Sequence, residues 1–125
     1  MPELKLRQLQ YESDAWKRLL GFITDENIHQ KNRLSEILKD EFDKNLLDEV
    51  ENFQTRFVRE DNLIYLLRNE LAGYDKLLVR EAFEDGALSR EVNTKLKKLR
   101  ADIVEAEKEF SKLKSEFNNY LLENI

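Results

Sequence analysis

From Val92 to Tyr120 the chain keeps an unbroken alternation of four- and three-residue steps between apolar residues: Val92, Leu96, Leu99, Ile103, Ala106, Phe110, Leu113, Phe117 and Tyr120. Residues three and four apart share one face of an α-helix, so this run specifies a helix with a single narrow apolar stripe. A stripe that repeats every 3.5 residues packs against partner helices crossing at a shallow angle. The run covers about four heptads and carries no charged or amide residue. It fixes an architecture far more tightly than it fixes a function.

Two further runs have the same spacing. Leu46, Val50, Phe53, Phe57, Glu60, Ile64, Leu67, Leu71, Tyr74 and Leu78 form a second seam, with Glu60 its one charged member. Leu47, Val58, Leu63, Leu66, Leu77 and Ala82 flank it. A stripe widened in this way suits a middle helix that touches two neighbours. The first run is less regular: Trp16, Leu20, Ile23, Asn27, Gln30, Leu34 and Ile37. With only 3 Gly and 1 Pro, and little period-2 alternation, strands are disfavoured.

The expected fold is therefore all-α: an elongated, antiparallel, three-helix, coiled-coil-like bundle forming a single helical domain over 1–125. Its helices are expected at about 13–42, 44–84 and 89–122. Ser13 before Asp14 reads as the first N-cap, and Asp40 to Asn45 as the first turn. Gly86 reads as a helix stop and Ser89 as the third cap, with Glu91 in the first turn suiting the helix dipole. Residues 1–12 fit either an early helical turn or an extended strap. A break between Gly21 and Asp25, with Thr24 capping a new helix, is an alternative for the first run.

Composition narrows the function classes. The chain has no Cys, which excludes disulfides, thiolate nucleophiles and Cys-based metal sites. A net charge of -5 argues against nucleic acid or an anionic membrane as the main partner. No apolar run approaches the ~20 residues of a membrane span, and Met1-Pro2-Glu3-Leu4-Lys5 lacks the apolar core of a signal peptide. The expected location is the cytoplasm.

The constellations that could carry chemistry are weak. Glu26 and His29 match a Glu-x-x-His spacing, but His29 is the one histidine of the chain, and a two-histidine di-iron site cannot form within one subunit. Lys95, Lys97, Lys98 and Arg100 make the densest basic patch, without interleaved aromatics that could stack on bases. The acidic groups Asp40, Glu41 and Asp43, then Asp48, Glu49 and Glu51, then Glu105, Glu107 and Glu109 read as solvated helix faces. No Gly-rich phosphate loop or nucleophile elbow occurs. No catalytic residue, cofactor or metal is assigned, and an enzyme is not expected.

One feature stands out from the pattern. Asn27 and Gln30 occupy consecutive seam positions, and an antiparallel hairpin turning near residue 43 sets residue 27 level with about residue 60, where Glu60 interrupts the second seam. The three residues are expected to share a polar layer, with Arg33 and Arg59 near enough in sequence to pair with Glu60. Such a layer can specify register, mark a locally wet splay, or hold a ligand. The expected function is a non-enzymatic protein–protein interaction or scaffold module. The alternative is a helical regulator that binds a small ligand or metal at the polar layer. Trp16, Leu63, Leu66 and Leu77 are the candidate partner contacts. With Val79, the three leucines favour a dimer if the core leaves them uncovered.

Overall fold

The computed structural model describes residues 2–40, 43–83 and 90–124, with side chains placed for 5–40, 43–82 and 90–124. Three α-helices account for all of them but Asp43: α1 (Pro2–Asp40), α2 (Lys44–Phe83) and α3 (Arg90–Asn124). At 39, 40 and 35 residues, each rises about 50–60 Å at ~1.5 Å per residue.

Helix α1 starts at Pro2, well before the Ser13 cap expected from sequence. Pro is tolerated there because its missing N–H would lack an intrahelical partner in the first turn anyway. Leu6 and Leu9 are buried in the core, so the strap alternative for residues 1–12 is replaced by two added turns of seam. Ser13 is not a cap. It is fully buried within the helix, and its Oγ donates to the Asp75 carboxylate on α2. A small hydroxyl at a seam position had hidden the continuity of Leu6, Leu9, Trp16, Leu20 and Ile23.

Nor does α1 break between Gly21 and Asp25. Thr24 Oγ1 donates to the Leu20 carbonyl at 2.8 Å. This is the back-bond of a mid-helix threonine rather than a cap. Helix α2 is capped by Asp43, whose Oδ1 accepts from the backbone N–H of Asn45 at 2.8 Å and of Leu46 at 3.4 Å. The Gly86 stop and the Ser89 cap lie outside the described residues. Glu91 does stand in the first turn of α3.

Cross-helix pairs fix the topology. Arg80 meets Glu91, Lys98 meets Glu70, and Arg56 meets Glu116, so α2 and α3 run antiparallel. Ser13 with Asp75 and Lys31 with Asp61 set α1 antiparallel to α2. Glu12 with Arg100 and Glu26 with Lys114 set α1 parallel to α3. Helix α2 packs more extensively on each neighbour than those neighbours pack on one another, the middle role that its wide stripe suggests.

All nine positions of the third seam are buried. Two core clusters result. One runs from Leu6 and Val92 to Ile103 and Phe110 and is mainly aliphatic. The other, towards the α1–α2 turn, joins Leu34, Val50, Phe57, Leu113, Phe117 and Tyr120. Phe117 there meets Phe57 edge-on, with ring centroids 5.4 Å apart, a favoured aromatic geometry.

Candidate functional site

Between the two core clusters lies a band of buried polar side chains. Asn27, Gln30 and Glu60 are all buried, and each sits where the apolar seam of its helix is interrupted. Asn27 Nδ2 donates to the Phe57 carbonyl at 3.0 Å and to the Asp61 carboxylate. These bonds place residue 27 of α1 level with residues 57–61 of α2. Lys31, one turn on, completes the group with an ion pair to Asp61.

Gln30 looks the other way. Arg33 Nη1 donates to Gln30 Oε1 at 3.1 Å and to Asn118 Oδ1 at 2.8 Å, while its guanidinium lies 5.7 Å from the centroid of the Phe117 ring. Arg33 thus ties α1 to α3 and does not pair with Glu60, contrary to the sequence expectation. The reason is angular: three residues after Gln30, it shares the side of α1 that faces α3.

Glu60, like Asn27 at Oδ1, keeps one buried oxygen of the layer unbonded. Its Oε1 is buried without a hydrogen-bond partner. It lines an open cleft of about 430 Å³ between α2 and α3, together with Arg59, Leu63, Glu109, Lys112 and Leu113. Burial, reinforced by the like charges of Glu109 and Asp61, pushes the Glu60 carboxyl up to about 7. Arg59 lines the same cleft without satisfying Oε1.

The candidate partner contacts separate. Trp16 is half-buried, its ring tilted against Tyr74 with centroids 6.5 Å apart. Leu63 is half-buried against the core, and Leu77 belongs to the core itself. Leu66 alone of the four is open, 58% exposed. The core therefore covers more of the apolar width of α2 than its composition suggested, since Leu77 and Leu78 are both buried in it.

Two features escaped the sequence reading. One is the α1–α2 network of Ser13, Lys17 and Asp75; the seam position of Ser13 was the available signal. The other is a row of exposed residues on α2, Val58, Tyr65, Ala72 and Val79, whose seven-residue spacing is plain once the main seam is set aside.

The remaining constellations resolve into surface pairs. His29 is exposed, and Glu26 is held by Lys114 at 2.7 Å, which keeps its carboxyl below the ordinary range. Lys98 bridges Glu70 and Asp102, and Arg100 makes two bonds of 3.0 Å to Glu12. The basic patch is thus partly neutralised from α1 and α2. Among the described residues no group of three or more acidic or histidine side chains is placed to hold a metal ion, and no helix is long and apolar enough to cross a membrane. Comparison with known proteins finds no matching family, no similar curated protein and no similar solved structure.

Proposed function

We propose that this chain is a non-enzymatic helical interaction module that binds another protein surface through the outer face of its bundle. The observation that supports this most directly is the distribution of apolar residues. With the three seams turned inward, Tyr11, Phe22, Ile28, Val58, Tyr65, Leu66, Val79, Val104 and Leu122 stay exposed. Scattered exposed apolar residues are ordinary, but several in one helix row are the usual mark of an interface.

A photo-crosslinking residue placed at Tyr65, compared with one at exposed Glu107 on α3, tests this. Capture of a partner protein from position 65, abolished by Val58→Glu at unchanged helicity, is the expected result. Capture that is equal from both positions, or indifferent to Val58→Glu, would sink it.

A second reading is favoured by the unpartnered Glu60 oxygen. A small cation or an amine entering the α2–α3 cleft would find the Glu60 carboxylate with Glu109 beside it. Calorimetric titration with divalent cations and simple amines, against Glu60→Gln, decides between a ligand site and a merely unsatisfied carboxylate.

A further inference from the structure

Val58, Tyr65, Ala72 and Val79 recur at intervals of seven residues on α2, and all four face solvent. Seven residues bring a helix back to within about 20° of the same direction. The four therefore form one row about 32 Å long, on the side that neither α1 nor α3 covers. Its large members are 45%, 66% and 52% exposed.

The row is its own complement. Read in one direction it is Val, Tyr, Ala, Val; reversed, it is Val, Ala, Tyr, Val. Two antiparallel copies brought together about an axis between Arg68 and Asn69 therefore set Val58 against the partner's Val79. The Tyr65 ring then meets the small side chain of the partner's Ala72, so bulk meets space. The same operation sets Asp61 opposite the partner's Lys76, once at each end, as a two-fold contact requires.

We propose that two copies of this chain pair antiparallel along this row of α2. The pairing rests on the reading of the chain as an interaction module and names its partner. Charge supports the choice. Beside the row Arg68 and Lys76 balance Asp61 and Asp75, while Arg59 and Glu70 lie on the α3 side. The face is neutral although the chain carries -5, so a second copy is not repelled there. Lys76 is exposed and makes no ion pair among the described residues, and Asp61 keeps its carboxylate about one-third open beside Lys31. A parallel pairing would instead stack Lys76 on Lys76, Asp61 on Asp61 and Tyr65 on Tyr65, which like charges and bulk disfavour. Asn62 and Asn69 alternate with the apolar residues and keep the seam narrow, which suits a reversible association.

Sedimentation equilibrium of the full chain from about 1 to about 300 micromolar is expected to show a monomer–dimer equilibrium. Tyr65→Glu should weaken it by at least about tenfold, as loss of a central aromatic does, with helicity unchanged. The absence of native cysteines makes orientation testable. Val58→Cys and Val79→Cys chains, mixed and treated with a short bismaleimide, should cross-link to each other and not to themselves. A monomer throughout the range, dimerisation indifferent to Tyr65→Glu, or self-linked Val58→Cys would each overturn the pairing. A monomer whose position 65 still captures another protein would overturn the pairing alone; a monomer that captures nothing would overturn the interaction reading as well.

Discussion

The two faces of α2 treat buried polarity in opposite ways at the same level of the bundle. Towards α1, Asn27, Lys31 and Asp61 form a connected group in which Asn27 also donates to the Phe57 carbonyl, and only Asn27 Oδ1 is left without a partner. Towards α3, Glu60 is buried with an orphaned oxygen and with Glu109 as the stronger of its two like-charge neighbours. Polarity is the same; partnership differs. A polar group in a seam costs little when its bonds are made and much when they are not. The α1 face is therefore a register lock, since sliding α1 by a turn would break its bonds. The α3 face is where stability responds to protonation.

The sharpest way to break this contrast is Asp61→Ala. It removes the shared acceptor of Asn27 and Lys31, and the loss of charge-assisted bonds should cost about 2–3 kcal/mol in urea denaturation. A loss under about 0.5 kcal/mol would mean the lock is not closed.

On the other face the sign reverses. The carboxyl of Glu60 is raised from 4.5 to about 7 in the folded chain, so the folded state holds this proton more tightly than the unfolded state. Its effect is absent below the ordinary value of 4.5 and grows as pH rises, lowering stability until about pH 7. Glu60→Gln removes that penalty. The variant should match the wild type near pH 4 and exceed it by roughly 1–2 kcal/mol near pH 8, the open cleft screening part of the charge. A difference that does not change with pH would show that Glu60 is not a buried charge.

Tyr74 extends the rule to a neutral group. Its hydroxyl is buried without a partner, and burial pushes it up to about 12. Tyr74→Phe keeps the ring against Trp16 and should be neutral or up to about 1 kcal/mol more stable. A clear loss in thermal melts would reveal a bond to the hydroxyl.

Gly73→Ala provides the background for all three. A Cβ there meets nothing within 4 Å, so the change touches neither polar group and should stabilise by about 0.5 kcal/mol through the unfolded chain. A larger gain would mean that the helix itself, rather than the polar contacts, limits stability.

The sequence by itself determined the three helices and their inward faces, because apolar periodicity is a local property and burial follows it. The nine residues from Val92 to Tyr120 are the clearest case, and Asn27, Gln30 and Glu60 were legible for the same reason, as breaks in a regular pattern. Periodicity says which face of a helix turns inward; it does not say what stands opposite. Only the tertiary structure decided that Asp61, one residue beyond Glu60, accepts from Asn27 Nδ2 while Glu60 Oε1 is met by nothing. It also decided that Ser13 is a core residue bonded to Asp75, that Leu77 is covered, and that Val58, Tyr65 and Val79 are left outside. Each of these depends on how two helices align along their axes and how a third closes over them, and that alignment is a property of the whole bundle rather than of any one segment.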